Sequence, residues 1–286
     1  MKIDLKKLKE SKSTKELLNF GLINIDKPAG PTSFSVSDYI RKALDLNKTS
    51  HAGTLDPQVS GVLPMMLSRA CRLSDFFMHR NKTYVGIMRL HENLDEKKLK
   101  EEIKKFIGKI NQLPPKKSRV KRQMREREVF SFDIIEIDDK DILFETEVQA
   151  GTYIRKLIHD LGENLGGAHM LELRRIQASI FKEDNLVNLY EFDKAVSAYN
   201  QGDDSLLREM LIPAEILTEV LPYFQITKDT NIRQLLTGKP LMKKEANIKS
   251  LEEGENFILF NNNTFLGVYK KLEEGDLIAR PLFVLN

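Results

Sequence analysis

One carboxylate of this chain stands between a tight turn and a proline. In Ser50-His51-Ala52-Gly53-Thr54-Leu55-Asp56-Pro57, Gly53 permits a turn or a close backbone approach that a side chain would block. Pro57 pushes Asp56 toward an extended backbone. A carboxylate held in this way, with no metal-ligand pattern around it, suits a nucleophile. The same Asp-Pro pair also serves simply to open a turn, and the octapeptide alone leaves both readings open.

Two further side chains could do chemistry. Tyr84 sits in an apolar run, where an aromatic ring either fills a core or offers a face for stacking. Arg155 falls in the first turn of an amphipathic segment but off its apolar stripe, Ile154, Leu157, Ile158, Leu161 and Leu165. A long cation there reaches into a cleft or joins a surface ion pair.

The elements that must carry these residues follow from periodicity. Leu22 to Ile25 reads as a short strand entering the turn Lys27-Pro28-Ala29-Gly30-Pro31. Val36, Tyr39, Ile40, Ala43 and Leu44 then recur at helical spacing with Thr32, Ser33 or Ser35 as N-cap, so the Asp56 loop follows a helix. Tyr84 to Leu90 is a strand, and Val129 to Ile137 and Ile142 to Val148 form a hairpin about Asp138-Asp139-Lys140-Asp141. Leu94 to Ile110 has helical character ending near Gly108. The helix of Arg155 starts after Gly151-Thr152 and stops at Gly166-Gly167. Near residues 200–213 the texture changes. Short apolar runs at 257–260, 265–269 and 277–279, split by Asn and Glu-Gly-Asp turns, then suggest a small β-barrel.

Composition narrows the classes. At 286 residues the chain has room for two domains and a sizeable core. A 41% hydrophobic and 30% charged composition is that of a globular protein. No run of 18 apolar residues predicts a membrane span. The Lys-rich start lacks the apolar segment of a secretory signal, so the expected location is the cytoplasm. The single Cys71 permits no intrachain disulfide. The histidines at 51, 79, 91, 159 and 169 show no metal-ligand spacing, so neither a metal nor any other cofactor is expected. Net charge is only +3, but residues 116–128 carry seven Lys or Arg against two Glu. Such a patch neutralises phosphates or is simply a solvated loop.

Several separated motifs together resemble the catalytic core of the TruB family of pseudouridine synthases. They are Gly21-Leu22-Ile23-Asn24-Ile25-Asp26-Lys27-Pro28-Ala29-Gly30-Pro31-Thr32-Ser33, the octapeptide ending in Asp56-Pro57, and Gly61-Val62-Leu63-Pro64. In order along the chain there follow Lys82-Thr83-Tyr84-Val85, Ala150-Gly151-Thr152-Tyr153-Ile154-Arg155 and Glu172-Leu173-Arg174-Arg175. The direct run from Leu90 to a helix, Leu113-Pro114-Pro115 and Gly167 to Leu173 resemble the archaeal Cbf5 branch, which is dyskerin-like.

The resemblance implies an α+β fold: a mixed, largely antiparallel central sheet flanked by helices, plus a small C-terminal β-barrel of PUA type. The expected organisation is an N-terminal extension over 1–20, either frayed or packed on the C-terminal domain. A catalytic domain over 21–212 and an RNA-binding domain over 213–286 follow it. The implied activity is isomerisation of uridine to pseudouridine in RNA, at U55 of the tRNA TΨC loop or at guide-directed ribosomal RNA sites within an H/ACA ribonucleoprotein. The alternative is a non-catalytic RNA-binding scaffold with the same fold.

By the same resemblance Asp56 is the catalytic aspartate. Arg155 would pair with it and keep it ionised, since an adjacent opposite charge favours the charged form. Tyr84 would stack on the base, Leu173 would line the pocket, and His51 would face the displaced base. Lys27 and Pro28 would support the catalytic loop, with Arg174 and Arg175 contacting backbone or bracing it. Lys116, Lys117, Arg119, Lys121, Arg122, Arg125 and Arg127 form the basic loop expected to contact RNA. Implied partners are tRNA, guide RNA, ribosomal RNA, Nop10, Gar1 and a kink-turn-binding ribosomal-type protein. After Arg175 the chain departs from the family: Ile176 to Ile180 replaces the usual Gly-Pro before Phe181, which implies a different path there.

Overall fold

The computed structural model describes residues 3–93, 95–115, 121–227 and 230–286. The chain divides into two compact units. One comprises Ile23–Met66 and Ser74–Met210; the other comprises Met1–Leu22, Leu67–Leu73 and Leu211–Asn286.

The chain starts with two short helices, α1 (Leu5–Ser11) and α2 (Thr14–Asn19), the second closed by a capping box between Ser13 and Glu16. Strand β1 (Gly21–Lys27) leads to α3 (Ser33–Ala43), which buries Val36 and Ile40 and takes Thr32 as N-cap. A three-residue strand, β2 (Thr49–His51), precedes the Asp56 loop, so a strand rather than the helix delivers it. Next come β3 (Ser60–Leu67), α4 (Ser74–Met78) and β4 (Lys82–Leu90).

The expected helix over 94–110 is shorter, α5 (Glu96–Phe106). Gly108, at φ +95°, turns the chain into a strand, β5 (Gly108–Gln112). The hairpin is β6 (Arg125–Asp138) with β7 (Asp141–Val148), turning at Asp139. Arg125 and Arg127 therefore lie on a strand, paired with Gln112 and Ile110. The backbone hydrogen bonds of β5 extend the ladder further than the charge pattern suggests. The Arg155 helix is α6 (Ile154–Glu163), followed by β8 (Ala168–Ala178), β9 (Phe181–Lys182), α7 (Leu189–Asn200) and α8 (Ser205–Met210).

Within the first unit the strand order is β1-β3-β8-β4-β7-β6-β5, with β2 on β3 and β9 on β8. β3 and β8 run parallel, whereas β8, β4, β7, β6 and β5 pair antiparallel in succession. The sheet is thus mixed and largely antiparallel. Beyond Arg175, β8 simply continues to Ala178 and reverses at Ser179, whose φ of +58° supplies the left-handed turn residue.

In the second unit, Gly21 and Leu22 pair with β10 (Ile212–Pro213). β11 (Tyr223–Gln225), α9 (Ile232–Leu236), β12 (Leu241–Met242), β13 (Asn256–Asn261), β14 (Thr264–Glu274) and β15 (Leu277–Val284) follow. The five strands form a curled sheet in the order β11-β13-β14-β15-β12, around Leu235, Phe257, Leu259, Leu266 and Tyr269. A bridge between Ile226 and Ala246 draws its two edges together. The N-terminal segment packs within this unit: the Phe20 ring lies 5.0 Å from Phe265, and Lys12 Nζ lies 2.5 Å from the buried Glu215 carboxylate. No helix among the described residues is long and apolar enough to cross a membrane.

Candidate active site

The Asp56 loop is fixed by its backbone, leaving the carboxylate free. Ser33 Oγ donates to Leu55 O at 3.0 Å and accepts from Leu55 N at 2.8 Å. Lys27, fully buried, donates to the carbonyls of Pro28, Pro31 and Pro57 at 2.7, 2.9 and 3.1 Å. Three carbonyls use the three donors of one ammonium, and they tie the first motif to the residue following Asp56. Burial pushes the Lys27 pKa down, and the Asp56 carboxylate opposes that shift. Pro28 is exposed on the turn that Lys27 holds. Gly53, at φ +105°, adopts the conformation the sequence requires of it.

Arg175 supports the loop from below. It is 1% exposed, and its guanidinium donates to Val62 O at 2.8 Å and Gly53 O at 3.0 Å. Its register partner across β4 and β8 is Tyr84, which interacts with the guanidinium. Burial pushes the Arg175 pKa down, and Tyr84 opposes the shift. Alternation along the strands places Tyr84 and Gly86 of β4 on the same face as Leu173 and Arg175 of β8. Leu173 packs over Gly86, where a β-carbon would meet its Cδ1 at 3.0 Å. Arg174, on the opposite face, instead pairs with Asp26 at 2.9 Å and Glu183 at 2.5 Å.

The structure brings Arg155 to Asp56. Arg155 Nη1 lies 3.9 Å from Asp56 Oδ2, with side chains 64% and 60% exposed. At that distance and exposure the pair contributes little to stability. Its value lies in placing a cation and a carboxylate side by side at an accessible surface. His51 borders a cleft of about 380 Å³ lined by Phe34, Arg41, Lys48, Ser50 and Met78 among others. Burial first, then Arg175, pushes its imidazole pKa down. Its Nδ1 is buried and has no hydrogen-bond partner among the described residues.

Of the basic segment, Lys121 and Arg122 are exposed, Arg125 and Arg127 are half-buried on β6, and Lys116, Lys117 and Arg119 lie outside the described residues. His159, Asp160 and Glu163 also offer ligand atoms within 4.8 Å of one another on α6, but Lys156 already pairs with Asp160 there.

The motif around Tyr84 also holds a buried lysine that its sequence signal did not reveal. Lys82 is 5% exposed, and its Nζ donates to the carbonyls of Met78 and Arg80. Burial, with Arg175 nearby, pushes its pKa down to about 7. Between pH 7 and the ordinary lysine range the unfolded chain carries a proton here that the native state lacks, so native stability rises with pH. Below pH 7 the full cost of burying the ammonium is present. The contribution to the slope approaches about 1.4 kcal/mol per pH unit. Lys82→Met should remove this rise between pH 7 and 10, measured by urea unfolding at each pH. An unchanged slope would show that Lys82 titrates normally.

The model of the TruB family pseudouridylate synthase N-terminal domain matches residues 41–154, and that of the tRNA pseudouridylate synthase B C-terminal domain matches residues 155–219. This chain belongs to the TruB family of pseudouridylate synthases. It is 44% identical over 207 residues to the probable tRNA pseudouridine synthase B of Methanothermobacter thermautotrophicus, covering 72% of this chain and 64% of the relative. It is 43% identical over 234 residues to that of Methanopyrus kandleri, covering 81% and 69%. Among solved structures it is similar to a chain of a Cbf5-Nop10-Gar1 complex, with TM-score 0.86, 36% identity and coverage of 97% and 88%. A chain of an H/ACA RNP bound to a substrate RNA containing 2′-deoxyuridine matches with TM-score 0.85, 34% identity and coverage of 97% and 88%.

Proposed function

We propose that this chain isomerises uridine to pseudouridine in RNA. The observation that carries this reading is the Asp56 carboxylate, exposed 3.9 Å from Arg155 on a backbone-fixed loop that Arg175 ties to the sheet presenting Tyr84 and Leu173. The reaction breaks the N1–C1′ bond of uridine and joins C1′ to C5, with a proton leaving C5 and one gained at N1. A stacked base is inaccessible, so the uridine is flipped out to meet the carboxylate. In this reading Asp56 acts at the sugar or the base, Arg155 orients it, Tyr84 offers its ring and hydroxyl to the base, and Leu173 lines the pocket.

The substrates are tRNA, at U55 of the TΨC loop, and ribosomal RNA sites chosen by an H/ACA guide RNA. The likeness to a chain crystallised with Nop10 and Gar1 supports the second mode. In that mode Nop10, Gar1 and a kink-turn-binding ribosomal-type protein would be the partners. Mapping pseudouridine by mass spectrometry in tRNA and ribosomal RNA, with the chain alone and with guide components, tests both. Product with the chain alone supports stand-alone tRNA modification, and product only with guide components supports the ribonucleoprotein. RNA binding without product in either setting would leave a scaffold.

The basic segment is the proposed phosphate-binding surface. Replacing Lys121, Arg122, Arg125 and Arg127 by Gln should lower RNA affinity and flatten its salt dependence, by about 0.7 to 0.9 in log–log slope for each phosphate no longer neutralised. An unaltered slope in salt titrations of RNA binding would reject that assignment.

A further inference from the structure

A buried amide reaches the helix of Arg155 from the far edge of the sheet. Gln112, the last residue of β5, is 2% exposed. Its Nε2 donates to Tyr153 O at 3.3 Å and its Oε1 accepts from Tyr153 N at 3.0 Å. One side chain thus engages both polar groups of a single backbone residue. Tyr153 is the N-cap residue of α6, it is extended, and its side chain makes no capping hydrogen bond. The start of this helix is therefore fixed from outside, by Gln112.

The turn before α6 rests on the same pair of strands. Gln149 N donates to Glu128 O at 2.8 Å, and Gly151, at φ +83°, lies against the Arg127 guanidinium, 3.1 Å from where a β-carbon would stand. Apart from the Arg155–Asp56 pair, the rest of α6 is held by the apolar side chains of Ile154, Leu157, Ile158 and Leu161 and, at its far end, by Asn164 Nδ2 donating to Glu102 at 3.1 Å. Apolar packing is non-directional and fixes the rotation and height of a helix only loosely. A two-bond amide contact at the N-cap fixes both. Arg155 is two residues further on, so the register chosen at Tyr153 determines where its guanidinium falls relative to Asp56.

We propose that Gln112 is a positioning residue for the reaction, holding the start of α6 in the register that brings Arg155 to Asp56. It touches no substrate atom and acts through Arg155. The proposal rests on the synthase reading given above.

Two variants, Gln112→Leu and Gln112→Glu, are compared with the wild-type chain and in an Arg155→Lys background. The measurements are the single-turnover rate of pseudouridine formation and the Kd for the same RNA, alone or with guide components as the mapping requires. A misplacement of about 1 Å can cost on the order of 100-fold in rate. Gln112→Leu should lower the rate about 10- to 100-fold with Kd unchanged within about twofold. Gln112→Glu keeps the acceptor for Tyr153 N but loses the donor, so it should fall between. It carries the test if the Leu variant lacks a cooperative melt.

In the Arg155→Lys background either change should cost little more, because residues acting as a unit are non-additive. A wild-type rate in both variants, or an equal loss in both backgrounds, would overturn the positioning role while leaving the synthase reading intact. No product from the wild-type chain in either mode would overturn both.

Discussion

Replacing Asp56 by Asn is expected to lower pseudouridine formation by roughly 10⁴-fold or more, as removal of a nucleophile does elsewhere. Asn keeps the shape of the side chain and lacks the anionic oxygen that the proposed role, attack or assistance at the sugar or base, requires. The loop survives the change, because its anchors are backbone contacts from Ser33, Lys27 and Arg175, none of which uses the Asp56 carboxylate. With the side chain 60% exposed, the stability change should stay within about 0.5 kcal/mol. RNA affinity, governed by phosphate contacts, should shift by less than about threefold. Single-turnover assays beside filter binding check both halves. Wild-type rates in Asp56→Asn would refute the assignment of the nucleophile. A variant that also lost RNA binding would mean that Asp56 serves the interface.

Gly61→Ala should be the most damaging small substitution to the fold. Gly61 has φ +102°, and a β-carbon there would stand 2.2 Å from the Arg175 carbonyl oxygen, on the neighbouring parallel strand. The obstacle is backbone, so no rotamer change relieves it. Strain at that φ costs about 1–3 kcal/mol and overpacking about the same again, together about 2–6 kcal/mol. Against a typical unfolding free energy of about 5–15 kcal/mol, this leaves a marginal protein. Urea titration should show a lower midpoint with an unchanged m-value. The displaced segment carries Arg175, so catalysis should fall even where the chain stays folded. A midpoint equal to wild type would mean that β3 and β8 separate at little cost.

Much of the site was legible in the sequence where chemistry and local backbone geometry coincide. Asp56 between Gly53 and Pro57, the Lys27-Pro28 turn and the off-stripe Arg155 are all placed by short-range rules. Periodicity found α3, α6, β4 and the β6–β7 hairpin. It misjudged 94–110, where a positive-φ Gly108 begins a strand that the helical pattern hid. It also read Arg125 and Arg127 as loop residues, because nothing local shows that β5 lies alongside to extend the ladder.

Ser33 shows the same limit at one residue. It sits among three candidate caps, of which Thr32 caps the helix, while Ser33 reaches 22 positions along the chain to hold Leu55. Lys82 lies in the Lys82-Thr83-Tyr84-Val85 motif, whose signal is its tyrosine, and Gln112 lies just past the segment that periodicity reads as a helix. Neither carries a pattern that marks it, since each acquires its role from partners distant in sequence or from burial.

By itself the sequence determined which side chains are candidates for the chemistry, the turn that presents Asp56 and the family to which the motifs belong. These depend on side-chain chemistry and on φ/ψ limits that act within a few residues. Only the tertiary structure decided that Arg155 stands 3.9 Å from Asp56, that Arg175 joins the loop to Tyr84, and that Gln112 holds the start of α6. Those relations are set by strand register and by burial, which a linear sequence specifies only when the whole chain has packed.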